Sequence, residues 1–257
     1  MATRFYIDTP LAAHSTLALP PGASRHVQVL RLQPGDEITL FDGRGGQWMA
    51  QVLSMGRKEV LAQVMSHQPH EVELAQAVTL ALGMPANERM DGLIEKATEL
   101  GVTRIQPLVC ERSVLRVAGD RAERKAAHWQ GVAAAASEQS GRNRVPEIAA
   151  PLPLKAWLAQ QPLAAAGAGA RGLQLSLAPG VRPLAALLQP GGHTPLLLLS
   201  GPEGGLSPAE QALGLDHGFA PVSLGTRVLR ADTAPLAALA TIAALDASLS
   251  EPGTPAP

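Results

Sequence analysis

The sequence predicts an α/β protein: a small β-rich N-terminal domain followed by a mostly parallel sheet with helices on both faces. Three observations predict it. Short apolar or alternating runs, separated by turn signals, fill the first ~70 residues, as in a small barrel or sandwich. From Val72 onward, strand-like apolar runs alternate with runs whose apolar residues recur at helical spacing. Two glycine-bearing segments near the C-terminus, Leu196 to Gly205 and Val222 to Arg230, each follow an apolar run, an arrangement suited to a ligand crevice in an open α/β sheet.

In chain order, Val27 to Leu32, Glu37 to Phe41, Gln47 to Leu53 and Lys58 to Val64 read as strands. Gln33-Pro-Gly-Asp36, Asp42-Gly-Arg-Gly-Gly46 and Met55-Gly56 supply the turns between them. The polar, proline-bearing stretch Ser66 to Glu71 places a boundary there, giving domains over 1–70 and 72–250. Gln76 to Gly83 then reads as a buried strand. Asn87 caps a helix with Met90, Leu93, Ile94, Ala97 and Leu100 on one face, and Gly101 closes it. Arg104 to Val109 returns as a strand. A second helix starts near Asp120, runs through Val132 to Ser137 and ends at Gly141-Arg-Asn-Arg-Val-Pro146. A weaker helix covers Leu154 to Ala159, and Ala164 to Gly172 reads as a loose connection. Strand, loop and helix then recur twice, ending with Leu236 to Leu249, and 251–257 reads as a disordered tail.

Composition narrows the function classes. Hydrophobic residues make up 46% and charged residues 17%, the proportions of a soluble globular protein. No run of eighteen apolar residues and no N-terminal signal-like apolar stretch occurs, so a cytoplasmic protein is expected, without a membrane partner. Cys110 is the single cysteine, which excludes an internal disulfide, and no metal-spaced His or carboxylate cluster appears. A net charge of -1 makes no global case for nucleic acid. The local balance differs: from Arg112 to Arg144 seven Arg or Lys face three Asp or Glu. Arginine supplies most of the positive charge, which suits bidentate phosphate contact; a solvated helix face would read the same way.

The glycine loops carry the chemistry. Glycine lacks the Cβ that would hold a ligand away from the backbone. Behind the first loop Ser207-Pro-Ala-Glu210 reads as a capping box, with Ser207 at the N-cap, Pro208 at the first helical position and Glu210 at the third. Gly201-Pro-Glu-Gly-Gly205 lacks the Gly-Lys-Ser/Thr ending of a phosphate-binding loop, and no lysine follows Lys155. The dinucleotide fingerprint is also absent. A nucleotide hydrolase is therefore poorly supported.

At this point the chain resembles the bacterial 16S ribosomal RNA uracil-N3 methyltransferases, a branch of the SPOUT superfamily. The resemblance rests on five blocks in order. They are Arg31-Leu-Gln-Pro-Gly-Asp36 with Phe41-Asp-Gly43; Glu88-Arg-Met90 with Lys96-Ala-Thr-Glu-Leu-Gly-Val102; Pro107 with Glu111-Arg-Ser113; Ala135-Ala-Ser-Glu-Gln-Ser-Gly-Arg-Asn-Arg-Val-Pro-Glu147; and the two loops, Gly201 to Gly205 and Leu224 to Arg230. The resemblance implies a PUA-like RNA-binding barrel followed by a SPOUT methyltransferase domain with a C-terminal trefoil knot. It implies S-adenosylmethionine as cofactor, a homodimer as working unit, and a uridine of 16S rRNA in the assembled small ribosomal subunit as target.

Carried onto these positions, the cofactor would be held by Leu199, Ser200, Gly201, Pro202, Glu203, Gly204 and Gly205 and by Leu224, Gly225, Arg227, Val228, Leu229 and Arg230. Methylating N3 of uracil requires loss of the N3 proton while charge develops on the flanking oxygens. Arg230 and Arg142 are expected to position and stabilise, and Glu203 and Asp232 are candidate proton acceptors. Glu203 could instead hold its own loop, and Asp232, where the family carries Glu, could instead cap a helix. Thr226 stands where the family has proline, and Pro235 falls in the opening turn of the last helix. RNA contact is assigned to Arg4, Arg25, Arg31, Arg112, Arg116, Arg121, Arg124, Arg142 and Arg144. Trp129 reads as core or dimer interface, Trp48 as barrel core and Cys110 as a buried strand residue. Two alternatives stay open: methylation at ribose 2′-O or another base position, and a ribosome-assembly RNA-binding protein without catalysis.

Overall fold

The computed structural model describes residues 3–57, 59–115, 117–161, 169–189 and 191–247; the expected tail at 251–257 lies outside them. The chain divides into two compact units, Met1–Glu73 with Ala134–Val145, and Leu74–Ala133 with Pro146–Pro257.

The first unit holds β1 (Arg4–Tyr6), β2 (Thr16–Ala18), α1 (Pro21–Val29), β3 (Glu37–Phe41), β4 (Gln47–Met55) and β5 (Val60–Gln68). They form one sheet in the order β1-β3-β4-β5-β2, with β1 parallel to β3 and the other pairs antiparallel. Strand periodicity of two is plain in β5, where Val60, Ala62 and Val64 are buried and alternate with half-buried neighbours. Register shifts after Met49 and Val52 bend β4 as a bulge does. Phe5, Ile7, Ile38, Leu40, Ala50 and Val52 complete the core.

Val27 to Leu32, expected as a strand, is instead the end of α1 and the turn after it. Pro21 occupies the first helical turn, where a missing N–H costs nothing, and Ser24 and Val27, three apart, are the buried face. A short apolar run does not distinguish the two periodicities, and the prolines upstream decided for helix. The three-residue strands β1 and β2 went unforeseen because so short a run shows no alternation.

The second unit holds β6 (Val78–Gly83), α2 (Asn87–Glu99), β7 (Arg104–Val109), the start of α3 (Asp120–Ser140), β8 (Glu147–Ile148), β9 (Leu152–Pro153), α4 (Leu154–Leu158), β10 (Arg171–Leu175), β11 (Leu196–Ser200), α5 (Pro208–Asp216), β12 (Ala220–Val222) and α6 (Thr233–Ala247). The sheet runs β12-β10-β11-β6-β7-β8, with β9 also on β7, and every pairing is parallel. All five residues of β11 are buried, as a strand covered on both faces requires. Leu197 and Leu199 pack with Leu108, Trp157 and Phe219, while α6 packs against α2, β6 and β11. Part of the segment expected as a loose connection, Arg171 and Gly172, opens β10, a strand between β12 and β11. Its short run contains Gly172 and a buried Gln174, which hid it from a hydrophobic pattern.

Candidate active site

Strands β12, β10 and β11 are neighbours and parallel, so their C-terminal ends lie side by side, where open α/β sheets place their ligands. The segments leaving them line one crevice of about 710 Å³: Leu175 to Ala178 after β10, Ser200 to Leu206 after β11, and Leu224 to Ala231 after β12, apart from Thr226. That volume lies in the range of small-molecule sites.

The first loop turns back on itself, with Gly205 N–H donating to the Pro202 carbonyl at 2.8 Å. Gly201 allows it: a Cβ there would stand 2.6 Å from the backbone nitrogen of Leu206. The loop then enters α5 through a complete capping box. Ser207 Oγ accepts from Glu210 N–H, and a Glu210 carboxylate oxygen accepts from Ser207 N–H at 2.9 Å. The other Glu210 oxygen accepts from Glu111 N–H at 2.8 Å, so the cap also ties the segment after β7 to the loop. In the second loop Gly225 sits at φ +107, a conformation few side chains adopt. Its N–H donates to Ser223 Oγ at 3.1 Å.

Of the residues expected to hold a cofactor, all except Leu199 line this crevice; Leu199 is fully buried in the core beneath α5. Leu175, Ser176, Leu177, Ala178 and Arg89 line it too and were missed, the first four because β10 was not recognised as a strand. Leu206, Leu175, Leu177, Val222 and Leu229 offer an apolar wall. Within it, the buried Ser200 Oγ has no hydrogen-bond partner among the described residues.

The acidic candidates are otherwise engaged. Glu203 Oε1 accepts from the N–H of Ala86, the N-cap of α2, at 2.8 Å. The expected cap, Asn87, is already in the helix, and Glu203 supplies from a distant loop what a capping-box glutamate supplies locally. Asp232, just ahead of α6, places Oδ1 3.8 Å from the Arg89 guanidinium, and that oxygen is buried without a hydrogen bond to any described residue.

The arginines separate into three groups. Arg230 and Arg227 are exposed and line the crevice. Arg25, Arg31, Arg121 and Arg124 are exposed; so is Arg112, which donates to the Gly204 carbonyl at 2.9 Å, while Arg116 lies outside the described residues. Arg4, Arg142 and Arg144 gather in the first unit. Arg142 is buried, and its guanidinium meets both carboxylate oxygens of Glu73. Arg4 donates to Gln47 Oε1, the Arg142 carbonyl and Asn143 Oδ1, and lies over the Phe41 ring at 4.9 Å. Burial lowers its pKa. Arg144 is exposed and pairs with Glu71 at 3.2 Å. Arg142 was expected to stabilise charge on the reacting base; it is not among the crevice-lining residues, and its side chain is spent on Glu73.

Trp129 is fully buried and donates to Asp91 at 3.1 Å, a core role. Trp48 packs partly buried against the core of the first unit. Cys110 is buried at the end of β7, and burial, with Glu210 nearby, pushes its thiol up to about 12, so it is no nucleophile near neutral pH.

Residues 72–243 match the model of the RNA methyltransferase domain family, and residues 19–65 that of its PUA domain. The chain belongs to this RNA methyltransferase family. Among the members of this methyltransferase family, ribosomal RNA small subunit methyltransferase E of Synechocystis is 36% identical, over 95% of this chain and 78% of that protein. The crystal structure of the Neisseria gonorrhoeae protein of the same name, bound to S-adenosylmethionine, superposes with a TM-score of 0.85 at 32% identity, covering 95% and 98% of the two chains. A Legionella pneumophila protein with bound S-adenosylmethionine gives 0.85 at 31%, with the same coverage. Its fold is thus a PUA-like unit with a SPOUT methyltransferase domain. The crevice fits the methyltransferase cofactor: the apolar wall suits an adenine, and Ser200 Oγ offers a hydrogen bond that no described residue takes up. No helix among the described residues is long and apolar enough to cross a membrane.

Proposed function

We propose that this protein methylates N3 of a specific uridine in 16S rRNA of the assembled small ribosomal subunit, using S-adenosylmethionine. The observation that carries the reading is the crevice built by both glycine loops at three adjacent strand ends, in a chain whose relatives bind that cofactor. The cofactor supplies an electrophilic methyl group on sulfur. The loop backbones of Gly201 to Gly205 and Leu224 to Leu229 hold it, and the apolar wall excludes water from the reacting centre. Arg230, exposed at the crevice, stabilises the charge that grows on the uracil oxygens as the N3 proton passes to solvent at the crevice mouth and N3 takes the methyl group from sulfur, leaving the thioether. Arg142 holds the end of α3 within the first unit through Glu73.

RNA docks through the exposed Arg25 and Arg31 of the first unit and Arg112, Arg121 and Arg124 of the second. Homodimerisation, a cytoplasmic location and a C-terminal trefoil knot belong to the same reading. The return of α6 to β6 and β11, from a strand that lies outside β10, supports the knot.

Mass spectrometry of ribosomal RNA tests the reaction. Small subunits from a strain lacking the gene are treated with the purified protein and S-adenosylmethionine. One new 3-methyluridine is expected. A methyl group at a ribose or another base position would replace N3 as the target, and no methylation despite cofactor binding would refute the substrate.

A further inference from the structure

The reaction described above gives no task to Arg89, although it lines the crevice. We infer that Arg89 receives an anionic oxygen of the bound reactants, and that Asp232 is a positioning residue acting through Arg89 rather than a proton acceptor. The inference rests on the proposed methyl transfer.

Arg89 stands in the first turn of α2, where its N–H donates to the Ala86 carbonyl at 2.9 Å. That turn is fastened to both loops of the crevice. Glu203 of the first loop holds Ala86, and Asp232, two residues beyond Arg230, faces the guanidinium at 3.8 Å. This distance is too long for a hydrogen bond but short enough to orient the cation. The guanidinium makes no hydrogen bond to any described residue, so its fork of donors is unspent and suits an oxygen pair or a charged oxygen.

Asp232 is a poor acceptor in this setting. It is not among the residues lining the crevice, and its buried Oδ1 is the atom nearest Arg89. The lining holds three arginines, Arg89, Arg227 and Arg230, against one carboxylate, Glu203, which is spent on Ala86. A crevice so charged calls for negative oxygen from its ligands. Two sources share that chemistry: the carboxylate of the cofactor's methionine moiety, and the uracil oxygen that gains charge as N3 loses its proton.

The test uses the full-length protein and its Arg89→Ala, Arg89→Lys, Asp232→Asn and doubly substituted variants. Titration calorimetry gives cofactor affinity, and single-turnover methylation of small subunits gives the rate. If the oxygen is the carboxylate, Arg89→Ala weakens S-adenosylmethionine about tenfold or more but leaves decarboxylated S-adenosylmethionine unaffected. If it is the uracil oxygen, affinity holds while the rate falls by a similar factor, with partial recovery in Arg89→Lys and on adding guanidinium ion. In either case Asp232→Asn has a smaller effect, and the double variant is no worse than Arg89→Ala. Unchanged affinity and rate in Arg89→Ala would overturn the inference. So would losses for the two single variants that multiply in the double, since Asp232 would then act independently. Should the unaltered protein bind cofactor yet methylate no RNA, the reaction is misread; affinity alone then decides, a loss upholding the role of Arg89 and no change refuting it.

Discussion

Removing the Arg142 guanidinium leaves Glu73 without the partner that meets both its oxygens. Breaking a buried pair from one side costs about 3–5 kcal/mol, so Arg142→Ala should lower the unfolding free energy by that much in urea titrations, with cofactor affinity nearly unchanged. A catalytic Arg142 would instead show a fall in the single-turnover methylation rate with the unfolding free energy nearly unchanged. The arginine-rich block was visible in the sequence, but its work was not. Whether a guanidinium faces solvent or Glu73 depends on a residue 69 positions away, which no local spacing encodes. Cys110 supports a second prediction at this scale. Its folded pKa, pushed up to about 12 by burial, lies above that of the unfolded chain. The native state therefore keeps a proton that the unfolded chain releases, and stability falls as pH rises from about 9 to about 12. Thermal melts across that window should drop less steeply for Cys110→Ala, with the residual slope carried partly by Tyr6, which burial and Asp8 also push up to about 12.

Among the elements, α5 was legible to the residue, because a capping box is local chemistry: Ser207, Pro208 and Glu210 fall where the sequence places them. Its wider role was not legible. Glu210 also accepts from Glu111, so the two halves of the box are unequal. Ser207→Ala should cost about 1 kcal/mol, the ordinary loss of an N-cap. Glu210→Ala should cost about 3 kcal/mol, because it strands the N–H groups of both Ser207 and Glu111. Equal losses in denaturant titrations would show that the tie to Glu111 contributes nothing. Helix α2 shows the same limit from the other side. Its apolar face and Gly101 stop were readable, whereas its start is one residue earlier than Asn87 implies because Glu203 supplies the tie. Strand β10 escaped notice altogether, and with it the third wall of the crevice. Its Gly172 and Gln174 break the apolar run, and only pairing with β11 and β12 makes them a strand.

For the whole molecule, the change from a strand-rich region to alternating strands and helices made the two kinds of architecture legible, whereas the membership of one segment of α3 and the turn after it was not. Ala134–Val145 groups with Met1–Glu73, where Glu138 accepts from Tyr6 N–H and Asn143 accepts from Arg4. A fragment covering 72–250 should therefore melt at lower temperature than the corresponding part of the intact protein, with partial loss of helical circular dichroism, because the end of α3 keeps its polar groups and loses their partners. A fragment as stable as the full chain would show those bonds to be dispensable. The strand order has a consequence for the chain during synthesis on a ribosome. β10 is made before β11, yet its neighbours in the sheet are β11 and β12, and β11 alone connects it to β6. A nascent chain halted after Leu175 thus carries a strand with no partner on either side. Only when the chain has grown past Ala231 are all three walls of the crevice present, so the capacity to bind a methyl donor comes late in synthesis.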